Sequence, residues 1–542
     1  MQRFNSIYTL LFFFSLFSAS IYAQTPINSY VAFQGYDETA AHFGEGEYQI
    51  FLDTNDGVLD RPLIFVDGFD PEDSSDILDM YDYLTYGSPE SNYFDELRSE
   101  GVDIVILNFP TYTRASDGAT IEGGGDYIER NGLILVNLIE TINSLKVGSE
   151  ESVLIGPSMG GLVTRYALTY MEQNSLDHQA GLWVSFDSPH MGANIPISFQ
   201  YAINYLAVQT ADTDMINMRD ARLNSPASKQ LLLDHYIPHL QSGSDYLQDE
   251  TIQLPTPNSF RNTFTTTMNT LGFPTETRNI SIVNGSLNST MVESPGVTIF
   301  DFVIDLGGGL GIDWHLKFTP DASVTDYEVD YIQPLVVATG TPIGDPFYAK
   351  AESPASSASL DSCPGGIVEF ASYFGSNPTA VQQQIIDALE VDAFSFIPAL
   401  SSMAIDEDNW YNSIDGTETT PFDAYIGIND NQPHMTFSQD YVDFLDNEIA
   451  AFFHLSVDES AFSRAVVLLG NPVQESLNFQ VDKQYSNLTV RILNSSGQLI
   501  SNHEIVNNQS TISIPSPNEN GLYFLYISNV NTQTVKKFIV NR

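Results

Sequence analysis

The sequence predicts an α/β protein: a mostly parallel sheet carrying a helical cap insertion, followed by a small all-β sandwich. Three observations carry that expectation. Short β-rich runs alternate with longer helical ones from about Pro62 to Tyr170, a helical stretch then interrupts the alternation, and from Val466 onward only short β-rich runs remain. Strands separated by helical crossovers imply a parallel sheet covered on both faces. At 542 residues the chain is too long for one compact domain. Hydrophobic residues at 42% and aromatics at 12% supply ample material for a large core.

Residues 1–23 have a signal-peptide profile: Arg3 in a short polar start, an apolar run from Leu10 to Phe17, then small residues ending at Ala23. The apolar run is short for a permanent span. No later segment is apolar and long enough to cross a membrane, so the mature protein is expected to be soluble after export. PLIFV at 62–66 and DIVILNF at 103–109 read as buried strands, YIERNGLILVNLIETINSL at 127–145 as an amphipathic helix, and SVLIG at 152–156 as another strand. GLWVSF at 181–186 and NISIVNG at 279–285 extend the sheet.

Between those two strands, at about 195–275, segments such as SKQLLLDHYIPHL have helical character and fit a cap over the strand ends. A second insertion, about 290–390, contains DLGGGLG at 305–311. No Lys-Ser or Lys-Thr follows it, so it reads as a turn and not as a phosphate loop. SQDYVDFLDNEIAAFF at 438–453 is an amphipathic helix that closes a domain taken as 24–455. Residues 456–465 read as a linker. The sandwich, 466–542, has the runs LNFQV, NLTVRIL, TISI, LYFLYI and KKFIV, with turn signals at Asn471-Pro472, Ser496-Gly497 and Asn520-Gly521.

Composition excludes some partners. Twenty Lys and Arg stand against 69 Asp and Glu, a net charge of −49 spread along the chain. Such a surface repels nucleic acid and anionic headgroups. The single cysteine, Cys363, forms no intramolecular disulfide, and its Ser, Pro and Gly surroundings suggest a structural or loop thiol. The carboxylates Asp67, Asp70, Glu72, Asp73 and Asp76 lack the glycine and closing Glu of a calcium loop, so a solvated acidic loop without metal is expected.

The chemistry centres on Gly156-Pro157-Ser158-Met159-Gly160-Gly161, between the strand SVLI and the helix GLVTRYALTYME. A serine on a tight strand-to-helix turn projects its hydroxyl above the sheet, and the glycines let the backbone pass close to itself. The helix start places the Met159 N–H where an oxyanion develops, and Phe69 in Val66-Asp67-Gly68-Phe69 is the expected second donor. The general base should be a histidine late in the chain, and His434 in Asn431-Gln432-Pro433-His434-Met435 fits. His454, His315, His235 and His239 fit less well, and His190 in SFDSPHMGA is expected to shape the acyl pocket or its loop. The acid orienting the base is Asp187, held at a strand end, with Asp392 and Asp423 as alternatives.

Together VDGFD, GPSMGGLVTRYAL and SFDSPHMGA resemble the oxyanion loop, the GHSMGGL-type elbow and the TPHxGS stretch of the lipase and esterase branch of the α/β-hydrolases. Pro157 stands where the usual elbow has a histidine, and Asp67 where the oxyanion loop does. No Gly-Asp-Gly-x-Val acid motif follows NISIVNG. The corresponding stretch, SFIPALSSM at 395–403, has Ser395 in place of an Asp, which is why Asp187 is preferred, as in lipases whose acid follows the earlier strand.

The terminal domain resembles the type A sorting domain of the type IX secretion system of Bacteroidetes, through Asn471-Pro472, VRILNSSGQLI around Gly497, Gly521-Leu522-Tyr523 and Lys536-Lys537-Phe538-Ile539-Val540. That resemblance implies handling by the type IX machinery and passage to the outer cell surface or beyond, usually with removal of the domain. The expected activity is hydrolysis of a small-molecule or lipid ester through an acyl-enzyme, needing no cofactor or metal. The cap's apolar residues favour a hydrophobic acyl group. Alternatives are a catalytically silent surface binding protein, or a hydrolase of polysaccharide esters or amides.

Overall fold

The computed structural model describes residues 24–210, 212–375, 377–453, 466–481, 488–494, 498–506, 511–528 and 533–542. The expected signal peptide, the linker at 456–465, His454 and the Ser496-Gly497 turn lie outside them. The chain divides into two compact units, Met1–Glu448 and Ile449–Arg542, with the boundary inside the helix Gln439–Phe453.

The first unit is organised by an eight-stranded sheet. Its strands are β1 (Thr25–Asn28), β2 (Glu45–Phe51), β3 (Pro62–Val66), β4 (Asp103–Asn108), β5 (Ser152–Pro157), β6 (Ala180–Phe186), β7 (Arg278–Val283) and β8 (Ala424–Gly427). They lie in the order β1-β2-β4-β3-β5-β6-β7-β8. From β4 to β8 every pairing is parallel; β1 and β2 add an antiparallel edge. β3, β4 and β5 are buried at every position. That is why they read as continuous apolar runs: helices cover both faces. On one face pack α1 (Ile128–Leu145) and α2 (Met159–Gln173), against Ile64, Val66, Leu107, Leu154 and Trp183. On the other, Phe65 meets Phe94 at 5.3 Å and Phe186 meets Phe437 at 6.1 Å. There Tyr441, in the helix Gln439–Phe453, donates to the Val283 carbonyl at 3.1 Å.

Three sheet strands escaped sequence reading. β1, at one edge, and β2 beside it form the antiparallel end of the sheet, and β8, Ala-Tyr-Ile-Gly, at the other edge, is only half-buried and four residues long. The stretch 395–403, expected to follow the last parallel strand, lies elsewhere: Ala393–Pro398 pairs antiparallel with Gly365–Glu369 in a separate ribbon.

The segments joining β6 to β7 and β7 to β8 hold most of the rest, and the first of them is helical, as expected of the insertion at about 195–275. The first gives the helices Ile197–Thr210, Thr213–Met218 and Pro226–Leu231. The second gives an antiparallel sheet from Thr298–Gly307, Leu310–Lys317, Tyr327–Val336 and Phe347–Ala351. The two share one core, in which Tyr205 stacks on Phe347 at 4.6 Å between centroids. The glycine run turns the first hairpin, with Gly307, Gly308 and Gly309 all at positive φ. Helix Ser259–Leu271, within the expected cap, instead covers α2: Arg165 donates to the carbonyls of Gly272 and Met268 at 2.7 and 2.9 Å.

The second unit has two antiparallel sheets. One joins Val466–Leu468, Ser476–Val481 and Ile512–Pro515; the other runs Leu499–Ile505, Leu488–Asn494, Gly521–Ser528, Gln533–Val540. Alternate inward residues, among them Phe479, Val490, Ile492, Leu525 and Phe538, form its core.

The turn from β5 into α2 depends on absent side chains. A Cβ at Gly156 would lie 2.4 Å from the Gly160 carbonyl oxygen, and one at Gly161 2.0 Å from Ser188 Oγ. The clash at Gly156 is with backbone, which cannot step aside. Gly156→Ala is expected to destabilise the first unit by about 3 kcal/mol, as overpacking does, read as a lower urea midpoint; an unchanged midpoint would show that the turn has room to spare.

Candidate active site

The turn carrying Ser158 is strained. Ser158 has φ 50° and ψ −128°, in a region L-residues avoid, and its N–H is held by the Phe186 carbonyl at 2.8 Å. Met159 opens α2, so its N–H has no partner from the preceding turn of helix.

Two side chains from distant parts of the chain meet this serine. His434 Nε2 lies 2.9 Å from Ser158 Oγ across 276 positions. His434 Nδ1 lies 2.7 Å from Asp187 Oδ2 across 247. Because the carboxylate only accepts, Nδ1 carries the imidazole proton and Nε2 is left as the acceptor facing the serine hydroxyl. Asp187 is fully buried at the end of β6, with φ 45°. Its N–H donates to Ile282 O at 2.7 Å, and its Oδ1 accepts from the Asn284 N–H at 3.0 Å. The carboxylate is thus pinned on both oxygens.

The loop bearing His434 is held by the ribbon Gly365–Glu369. His434 N–H donates to Ile367 O at 2.8 Å, Ile367 N–H to Gln432 O at 2.9 Å, and Gln432 N–H to Asn284 O at 2.9 Å. Asn431 Oδ1 accepts from Gly365 N–H at 2.9 Å. Gly366 has a specific reason to lack a side chain, since a Cβ there would stand 2.2 Å from Asp187 Oδ2. Sequence reading missed Asn284, Asn431 and Gly366. The only signals for them were an asparagine directly after a strand and a Gly-Gly pair beside Cys363.

The alternative acids sit elsewhere. Asp423 Oδ2 accepts from the Asn279 N–H at 2.8 Å, at the start of β7, which is the opposite end of the sheet. Asp392 uses its backbone carbonyl to accept from Phe370 N–H at 2.9 Å and does not touch His434. Nor do the other described histidines reach the serine. His190, expected to shape the acyl pocket or its loop, is buried against Trp183, Phe273 and Phe422, with Nε2 2.8 Å from Ser185 Oγ. Burial pushes its pKa well down. His239 pairs with Asp234 at 2.7 Å and His235 faces the Leu223 carbonyl at 2.9 Å.

The loop after β3 presses against the turn. A Cβ at Gly68 would lie 3.4 Å from Ser158 Cβ, and one at Gly160 2.7 Å from the carbonyls of Val66 and Asp67. Phe69 lines the same cleft as Ser158 and His434, a space of about 370 Å³. In the acidic cluster on this loop Glu72, Asp73 and Asp76 are exposed, as a solvated run requires, and Asp70 is half-buried. Asp67 is buried, Oδ1 accepting from Gly68 N–H at 2.7 Å while Oδ2 has no partner, and burial with the nearby Asp70 carboxylate pushes its pKa well up. Asp70 binds Ser74 and Ser75, Glu72 pairs with Arg222, Asp73 accepts from Thr111 N–H, and Asp76 caps the helix Ile77–Tyr81. These carboxylates are engaged in shaping the loop.

Cys363 is buried with Sγ 3.2 Å from Leu360 O, and burial pushes its thiol up to about 12. Among the described residues, Asp301, Asp313 and His315 form one cluster of potential metal-ligating atoms; none of the three lines the cleft at Ser158.

Comparison with known proteins bears on both units. Residues 470–541 match the family model described as a secretion system C-terminal sorting domain. No curated protein sequence matches the chain. Similar solved structures include Est1E from Butyrivibrio proteoclasticus, 12% identical over 30% of this chain and 51% of that one, with a TM-score of 0.19. This chain therefore spans about half the length of that protein. A peroxisomal α/β-hydrolase of Saccharomyces cerevisiae is 11% identical over 48% and 75%, with a TM-score of 0.26. An esterase of Pyrobaculum calidifontis is 10% identical over 48% and 67%, with a TM-score of 0.23. Among the described residues no helix is long and apolar enough to cross a membrane. The C-terminal residues 470–541 are thus a secretion sorting domain that marks the chain for the outer cell surface or the medium, and the unit ahead of it has, by its own strand order, the α/β-hydrolase fold.

Proposed function

We propose that the protein is an exported serine hydrolase that cleaves carboxylic esters, in the manner of lipases and esterases, through an acyl-enzyme intermediate. The observation that carries this reading is the unbroken hydrogen-bonded relay from Asp187 through His434 to Ser158. Ser158 Oγ attacks the ester carbonyl carbon while its proton passes to His434 Nε2, and Asp187 stabilises the imidazolium that results. The N–H groups of Met159 and Phe69 take the negative charge on the tetrahedral oxygen. Collapse expels the alcohol, which receives the proton from His434. Water then enters, gives its proton to the same nitrogen, and releases the acid. Every proton in the cycle moves through one imidazole, and no cofactor is called for.

The acid is the member whose loss separates this reading from that of a silent surface binding protein. A binder has no need of a carboxylate buried on both oxygens behind a histidine, because burying it is costly unless its partners are fixed.

Three measurements check the proposal. A fluorophosphonate probe is expected to label the wild-type protein and leave Ser158→Ala unlabelled; an unreactive wild type would favour the binder. Asp187→Asn should lower kcat on p-nitrophenyl acetate by about 10⁴-fold by supplying the wrong hydrogen-bond partner to Nδ1. Asp392→Asn and Asp423→Asn should stay within about twofold of wild type, since neither touches the relay; full turnover by the Asp187 variant would remove it from the mechanism. Gly366→Ala must displace the Asp187 carboxylate and is expected to cost about 10²-fold in kcat with little change in KM, the usual penalty of a misplacement near 1 Å. A variant with wild-type kcat would show that the carboxylate position is not critical.

A further inference from the structure

The walls of the cleft at Ser158 narrow the substrate. An apolar cavity of about 450 Å³, lined by Phe199, Ile203, Met218, Ile312, Trp314 and Ile385, contains none of Ser158, His434 or Asp187. It lies within the core shared by the two inserted segments. The apolar residues that suggested a fatty acyl group are therefore packed away from the serine. Next to Ser158 the wall sets the carboxyl groups of Asp67 and Asp70 and the hydroxyls of Ser74, Ser75 and Tyr83 among the apolar surfaces of Phe69, Pro157, Phe396 and Met435. A long acyl chain gains about 0.8 kcal/mol per methylene only where it meets apolar surface, and covering carboxyl groups with hydrocarbon is unfavourable.

The cleft also continues. A second lobe of about 210 Å³ shares Phe69, Asp70, Ser74 and Phe396 with the first. The two phenyl rings flank the junction, and Phe396 stands edge-on to the His434 imidazole at 5.2 Å. The far wall of this lobe holds Glu72, Arg222, Ser372 and Tyr373. Arg222 pairs with Glu72 at 2.7 Å and lies over the Tyr373 ring at 5.4 Å. The ion pair is partly open to solvent, with side-chain exposures of 31% and 41%, so donors and acceptors stand side by side at no net charge.

Resting on the serine-hydrolase reading above, we propose that the ester is borne by a neutral, hydroxyl-rich glycan, with the scissile acyl group at Ser158 and neighbouring sugar units along the lobe between Phe69, Phe396 and the Arg222–Glu72 pair. Sugars present alternating C–H faces and hydroxyl edges. Aromatic rings match the faces, and mixed carboxylate, guanidinium and hydroxyl groups match the edges. A cationic alcohol such as choline would find the nearest accessible carboxylate, Asp70, already accepting from Ser74 Oγ and Ser75 N–H at 2.8 and 2.9 Å. An anionic carrier would meet the Asp70 carboxylate, which lines both lobes, with the wrong sign.

The test compares esters on the full-length wild-type enzyme: acetylated xylo-oligosaccharide, p-nitrophenyl octanoate and acetylcholine. The expected kcat/KM for the oligosaccharide exceeds the other two by at least about tenfold, a difference of roughly 1.4 kcal/mol in transition-state binding. Arg222→Ala and Glu72→Gln should each raise KM for the oligosaccharide about tenfold more than KM for p-nitrophenyl acetate, whose alcohol is too small to reach them. Preference for octanoate or for acetylcholine overturns the assignment, as do variants that shift both substrates equally. An enzyme that reacts with fluorophosphonate yet prefers octanoate refutes the glycan alone. One that fails to react refutes the hydrolase reading beneath it.

Discussion

The contact between Asp187 and His434 is the constraint on which the site depends. It requires a carboxylate at the end of β6, fully buried, to meet an imidazole supplied 247 positions later. A carboxylate taken out of water is costly unless its oxygens are paired. Here the Asn284 N–H takes one oxygen and His434 the other. The remaining space is kept free by Gly366, and the backbone of the ribbon it belongs to holds the histidine loop by three hydrogen bonds. Strands β6 and β7, the ribbon Gly365–Glu369 and the loop 431–435 thus have to agree before Ser158 acquires its partner.

Strain gathers at the same edge of the sheet. Ser158, Asp187 and Met435, next to His434, all have positive φ. Each such residue costs about 1–3 kcal/mol and persists only where its surroundings over-determine it. The surroundings here are the buried strands β3 to β6 and the helices on both faces, whose packing changes little if a turn at their ends is held taut. Open α/β sheets place their ligands at the carboxyl ends of the strands for a related reason: the loops there are free to vary while the strands beneath are fixed.

The inserted segments have two sides of opposite character. Their apolar residues face each other across the helix Ile197–Thr210 and the sheet begun by Thr298–Gly307, making a core of their own. The cleft at the serine is bounded mostly by the loop after β3, with Phe396 and the histidine loop opposite. Composition reports how much apolar surface a segment carries, and it says nothing of which neighbour that surface meets.

Elements whose signal is local were legible in the sequence. Pro62–Val66 matched its expected bounds, and α1 and α2 fell within two residues of theirs, because a fully buried strand or an amphipathic helix writes its environment into consecutive residues. Ser158 was readable for the same reason: strand, glycine turn and helix lie side by side in the chain. Short or half-exposed strands such as β8 leave no such record, and the antiparallel sheet after Thr298 was hidden by the same ambiguity. The choice among Asp187, Asp392 and Asp423 was undecidable from spacing, since each follows or precedes a β-rich run. Only the assembled sheet sends Asp187 to the serine's end and Asp423 to the other. The sequence by itself determined the strand, glycine turn and helix around Ser158, the strand-helix alternation behind the parallel sheet, and the sorting domain, because their signals lie in consecutive residues. Tertiary structure decided which carboxylate meets His434, why Gly366 has no room for a side chain and which residues line the cleft, because each depends on atoms brought together across hundreds of residues.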